Sequence, residues 1–150
     1  MTSHENDVVE REIYIAARPE TVFPFFTDPE KMVRWLGIRA RLDARPGGVC
    51  LININERDVM GGTYLEVLPY SRVVFTWGWE GSPLPLGSTM VEVTLSPEAG
   101  GTRVYLRHTG IPAEQRGFQA AGWDHAFERL VIAAEGGDAG PDPWATALMG

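Results

Sequence analysis

From residue 8 to residue 16 apolar and polar side chains alternate. Val9, Ile13 and Ile15 share one parity and Glu10, Glu12 and Tyr14 the other, which predicts a strand with one buried face. The period changes at Arg18-Pro19-Glu20-Thr21, where a proline and a carboxylate stand at positions that a helix start tolerates or favours, ahead of Val22 and Phe23. Pro24 keeps that helix short. Asp28 as cap and Pro29 at the first helical position open a second helix, which carries Met32, Val33, Trp35 and Leu36 and ends at Gly37.

Period two returns at Ile38 and predicts strands at 38–43, 49–56, 63–68, 72–79, 88–96 and 102–109. Between them Arg45-Pro46-Gly47-Gly48, Met60-Gly61-Gly62 and Glu98-Ala99-Gly100-Gly101 offer the positive-φ positions of tight turns, and Pro69-Tyr70-Ser71 joins the two middle strands. The later strands alternate most clearly, with Val73, Phe75, Trp77 and Trp79, then Thr89, Val91, Val93 and Leu95, then Val104, Leu106 and His108. Such a sheet has one apolar, aromatic face that needs a cover. The cover is residues 113–135, where Ala120, Trp123, Phe127, Leu130 and Ala134 recur at three- and four-residue steps, with Ile132 against the pattern. The glycine- and proline-rich run Gly136 to Pro143 suits no regular element, so residues 136–150 are expected to be a tail, flexible or docked, with Trp144 and Leu148 as its anchoring side chains.

Composition narrows the function. A chain of 150 residues is one domain, here residues 8–135, and 44% hydrophobic with 22% charged residues is globular. Twenty acidic against thirteen basic residues leave −7, a field that opposes nucleic acid and anionic lipid surfaces. Cys50 stands alone and makes no internal disulfide, the first seven residues lack the basic flank and apolar stretch of a secretory signal, and no segment reaches the roughly 18 apolar residues of a membrane span. A cytoplasmic protein is expected.

The predicted order of strand, two short helices, six-stranded meander and long helix is α+β: a curved antiparallel sheet of six to seven strands wrapped around a C-terminal helix, the helix-grip arrangement. Ile15-Ala16-Ala17-Arg18-Pro19-Glu20-Thr21-Val22-Phe23 and Trp35 resemble the opening of the START-like, or SRPBCC, proteins. Arg45-Pro46-Gly47-Gly48, Gly61-Gly62-Thr63-Tyr64-Leu65-Glu66-Val67, Arg72-Val73-Val74-Phe75-Thr76-Trp77 and Gly122-Trp123 with Phe127 and Leu130 are similar to the branch named after the activator of the ninety-kilodalton heat-shock-protein ATPase. The resemblance implies a cavity between sheet and helix that takes apolar small molecules, with catalysis in only some members. The co-chaperone activity behind the branch name is not expected here, because eukaryotic relatives engage the ATPase through an additional N-terminal domain for which this chain has no room.

The main candidate site is the aromatic set Trp35, Phe75, Trp77, Trp79, Trp123 and Phe127, joined by Val91, Leu106, His108 and Phe118 as the expected lining of that cavity. Singly, each of these side chains is explained by core packing; together they predict flat rings that leave a hollow. His108, with the apolar parity of its strand, is either a hydrogen-bonded wall residue or a weak acid-base candidate, and in an enzyme of this kind His108 and Glu66 would be the first acid-base pair to consider. The face of Glu66 is ambiguous, since Thr63, Leu65 and Val67 compete with Tyr64, Glu66 and Leu68 for the inside. His125 beside Asp124 reads as solvated helix surface, because adjacent helix residues point about 100° apart. Arg34 and Arg107 are candidates for an acidic head group or for wet surface charge. Three scattered histidines and one cysteine give no metal motif, no phosphate or dinucleotide loop is present, and no cofactor is implied. Cys50 sits in a strand where burial would blunt it as a nucleophile. The expected function is binding of a small apolar molecule, with a cyclase- or hydrolase-like enzyme and a protein-interaction module or co-chaperone as alternatives. A homodimer through edge strands or the tail is compatible with the sequence.

Overall fold

The computed structural model of the chain describes residues 8–80 and 84–143. Strand β1 (Val8–Ile15) leads into α1 (Pro19–Val22), a 3-10 turn (Phe23–Phe26) and α2 (Pro29–Met32). Six further strands follow: β2 (Arg39–Leu42), β3 (Val49–Asn53), β4 (Val59–Leu68), β5 (Arg72–Trp77), β6 (Thr89–Glu98) and β7 (Gly101–Thr109). The long helix α3 (Ala113–Ala134) closes the fold. All seven strands form one antiparallel sheet in the order β1-β7-β6-β5-β4-β3-β2, curved around α3, so β1 and β2 are its edges. This is the helix grip.

Local chemistry accounts for the short helices. Asp28 caps α2 by accepting from the Glu30 amide at 2.9 Å, and Pro24 restricts the preceding segment to a 3-10 turn. That turn is buried, and its carbonyls would be costly there without donors. Trp35 Nε1 donates to the Phe25 carbonyl at 2.9 Å and the Tyr64 hydroxyl donates to the Phe26 carbonyl at 2.8 Å. Two large side chains thereby satisfy the backbone while filling the core. The second helix is shorter than its apolar pattern predicts: α2 ends at Met32, and Trp35 is delivered by the turns that follow.

Two features of β4 differ from the sequence reading. Met60-Gly61-Gly62 is not a turn but part of the strand, and the reversal before it lies at residues 54–58, where Asn55 Oδ1 accepts from the amides of Arg57 and Asp58. The glycines are needed because backbone and side chains approach closely: a Cβ on Gly61 would stand 1.9 Å from the Cys50 carbonyl oxygen, and one on Gly62 would stand 2.1 Å from Thr76 Oγ1. A bulge then inserts one residue between Tyr64, which faces Phe75, and Glu66, which faces Val74. Leu65 is that extra residue and is 48% exposed. Tyr64 points into the core before the bulge and Val67 packs against the core after it, so each of the two competing parities is correct on its own side of the insertion.

Residues 136–143 dock on the body. Arg129 donates to the carbonyls of Ala139 and Gly140 at 3.2 and 2.7 Å, and His125 Nε2 lies 2.7 Å from Asp142 Oδ1. His125 is therefore half-buried under the returning chain rather than on solvated surface. Trp144 and Leu148, the expected anchors, lie outside the described residues.

Candidate functional site

A cleft lies between the end of β5 at Trp77 and residues 118–126 of α3. Trp77 and Trp79 form its floor, Leu36, Ile54 and Met60 one wall, and Phe118, Gln119, Gly122, Trp123 and Ala126 of α3 the other. His125 and Asp142 stand at the rim. Trp79 continues the parity of β5 beyond the strand, held by an isolated bridge to Met60. Its ring lies 6.5 Å from that of Phe118, tilted by 55°, and Phe118 is 44% exposed. The free volume of the cleft is about 60 Å³, well below the roughly 300–1,000 Å³ of ligand pockets. A larger concavity of about 600 Å³ at the β1 edge is an open groove in which Glu10, Arg11, Arg107 and Arg116 stand among Val8, Val9, Gly117 and Ala120.

The expected lining thus divides. Trp77, Trp79, Phe118 and Trp123 border the cleft. Trp35, Phe75, Val91, Leu106, His108 and Phe127 do not: they are packed into the core and at most 3% exposed. Their rings interlock, Phe26 with Trp35 at 5.3 Å, Phe75 with Trp77 at 5.3 Å and Trp123 with Phe127 at 5.9 Å. The hollow expected from six stiff rings is largely filled, because edge-on and tilted contacts let rings pack a concave space that stacked ones would not. Only the mouth remains open.

His108 ties helix to sheet. Trp123 Nε1, which can only donate, lies 3.0 Å from Nδ1, so Nδ1 is the accepting nitrogen and the proton resides on Nε2. Nε2 then donates to Thr89 Oγ1 at 2.7 Å, and that hydroxyl donates to the Trp77 carbonyl at 2.8 Å. Both ring nitrogens are engaged within the protein, and burial pulls the imidazole down to about 3. The ring is a neutral, fully bonded strut.

Glu66 lies on the other face of the sheet. Beyond the bulge it joins Arg72 at 2.6 Å, and Arg72 also holds Glu92 at 2.9 Å. No acid-base pair with His108 forms across the sheet. Arg107 belongs to the same outer network, 3.7 Å from Glu10 and 3.6 Å from Glu92, and Arg34 is exposed beside the docked segment; neither faces the cleft. Cys50 is fully buried, and the same burial pushes its thiol up to about 12, so it is inert at neutral pH.

The sequence reading passed over Gln119. It continues the buried stripe of α3 one turn before Trp123, is 5% exposed, and its Nε2 is buried with no hydrogen-bond partner among the described residues. The signal was a polar residue on an apolar stripe, obscured because the helix reading began that stripe at Ala120. Asp142 was also missed, since only tertiary docking brings it to the rim.

A curved sheet gripping a long helix, with an apolar cleft at its open end, defines a domain of the START-like class. The family described as Activator of Hsp90 ATPase homolog 1-like protein matches residues 16–135. The chain belongs to that family. An AHSA1-like protein from Rhizobium etli, solved in solution, is 42% identical over 91% of this chain and 87% of its own, with a TM-score of 0.72. CalU16 from Micromonospora echinospora is 26% identical over 86% of this chain and 75% of its own, with a TM-score of 0.67. A protein described as the Aha1 dimer from Colwellia psychrerythraea shares the fold, at 16% identity over 87% of this chain and 97% of its own, with a TM-score of 0.74. No curated protein matches the chain. Among the described residues no helix is long and apolar enough to cross a membrane.

Proposed function

We propose that the protein binds a small, largely apolar molecule in the cleft between β5 and α3 and does not transform it. One observation carries this reading: the cleft is walled chiefly by apolar and aromatic side chains, its His125–Asp142 pair stands at the rim with the two groups bonded to each other, and the residues expected to do acid-base work are committed elsewhere, His108 to Trp123 and Thr89, Glu66 to Arg72. A ligand needs more than the present 60 Å³. It gains room from the two parts of the wall that are not core, the exposed ring of Phe118 and the docked segment that carries Asp142. Rotation of an exposed side chain is fast and inexpensive compared with any change in the interlocked rings below it.

The proposal includes a cytoplasmic location, in keeping with the single reduced thiol, no cofactor, and a homodimer through an edge strand, which light scattering tests separately. Native mass spectrometry of the purified protein, followed by organic extraction, tests the binding itself. A co-purifying apolar molecule recovered unchanged after long incubation supports it. No bound molecule, together with no saturable shift of the indole N–H resonances of Trp79 and Trp123 across a panel of small aromatic compounds, overturns it.

A further inference from the structure

Resting on that reading, we propose that Gln119 is the hydrogen-bond handle of the cleft and selects neutral ligands in which a flat apolar body carries a carbonyl or ether oxygen. The position is unusual for the helix that bears it. Every other buried side chain of α3, namely those of Trp123, Ala126, Phe127, Leu130, Ala133 and Ala134, is apolar or an indole whose N–H is bonded to His108. Gln119 is as buried as they are, yet its amide nitrogen meets no acceptor among the described residues, and its side chain lines the cleft. An amide donor held out of water without a partner raises the free energy of the empty protein, and an oxygen acceptor on the ligand removes that penalty on binding.

The remaining walls fix the rest of the class. The rings of Trp79 and Phe118 favour a planar body. Among the described residues no lysine or arginine lines the cleft, and a carboxylate among its apolar walls would lose its hydration with no cation to replace it, so the acceptor is neutral. A purely structural Gln119 would change stability when replaced and leave ligand ranking untouched.

The test uses three probes of one shape, indane, 1-indanone and indane-1-carboxylate, titrated into the full-length protein by calorimetry and by the tryptophan indole N–H resonances. The wild type is expected to bind 1-indanone about tenfold tighter than indane and the carboxylate weakest. Gln119→Met keeps the volume and removes the donor; it should bring the ketone-to-hydrocarbon ratio close to one while indane still binds. Equal affinity for indane and 1-indanone in the wild type overturns the handle and leaves the cleft standing, as does a ratio that survives in Gln119→Met. Tightest binding of the carboxylate overturns the neutral class. Saturable binding of none of the three overturns the cleft and the handle together. If Gln119→Met fails to fold, the wild-type ratio decides alone.

Discussion

The two ends of the groove between sheet and helix are built from the same kinds of residue and behave differently. At the closed end Trp35, Phe26, Tyr64, Phe75 and Phe127 are almost completely buried, and the polar atoms of Trp35 and Tyr64 donate to carbonyls of the 3-10 turn. At the mouth Trp79 and Phe118 meet at 6.5 Å, Phe118 is half-exposed, and Gln119 holds a buried amide without a partner among the described residues. Aromatic content is therefore no guide to a binding site. Where every ring has neighbours on all sides and every donor has an acceptor, the rings are core; the site begins beyond the end of β5, where that bookkeeping fails.

Truncation should separate the ends most sharply. Trp35→Ala is expected to cost about 3–5 kcal/mol, because it opens a cavity and leaves the Phe25 carbonyl without its donor. Chemical denaturation measures the loss, and a cost below about 1 kcal/mol would mean that the closed end is as loose as the mouth.

Acidification should weaken the strut between the ends. The His108 imidazole has its folded value depressed to about 3 from an ordinary 6.5. Its contribution is fully present above about pH 6.5 and is lost progressively as pH falls toward about 3, since the unfolded chain takes up the proton first. Between pH 6.5 and about 5, before most carboxylates titrate, the loss amounts to about 2 kcal/mol. His108→Gln should flatten that slope, and a slope unchanged in the variant would remove the strut as its source.

Phe118→Ala, at the mouth, should change stability by less than about 1 kcal/mol and weaken the binding of apolar probes several-fold, as read by calorimetry. Loss of stability without loss of affinity would reassign Phe118 to the core. Smallest of all is Glu66→Gln on the outer face, where breaking a partly exposed ion pair is expected to cost at most about 1 kcal/mol and leave probe affinity unchanged. A large loss of affinity in this variant would put Glu66 back in the site.

Much of the fold was legible because it depends on local periodicity. The alternation in β5, β6 and β7 and the three- and four-residue steps of α3 identified the buried faces, and Asp28 with Pro29 marked the start of α2. The reading of Glu66 failed to settle for a physical reason: a bulge shifts the parity by one residue, so a strictly two-residue pattern contradicts itself across it. Met60-Gly61-Gly62 was misread because glycines in a turn and glycines at a close approach look alike in one dimension; only the Cys50 carbonyl and Thr76 hydroxyl standing against them distinguish the two. Of the candidate site, Trp77, Trp79, Phe118 and Trp123 were legible, whereas Gln119 and Asp142 were not.

By itself the sequence determined a curved sheet with one aromatic face and a helix to cover it, since hydrophobic period and turn chemistry act between near neighbours. Tertiary structure alone decided which of those aromatics are core and which border a cleft, because that depends on where β5 ends relative to α3. It also decided that His108 is a bonded strut, that Glu66 faces away, and that residues 136–143 return to the rim. Those outcomes rest on contacts between residues far apart in the chain, which no local pattern encodes.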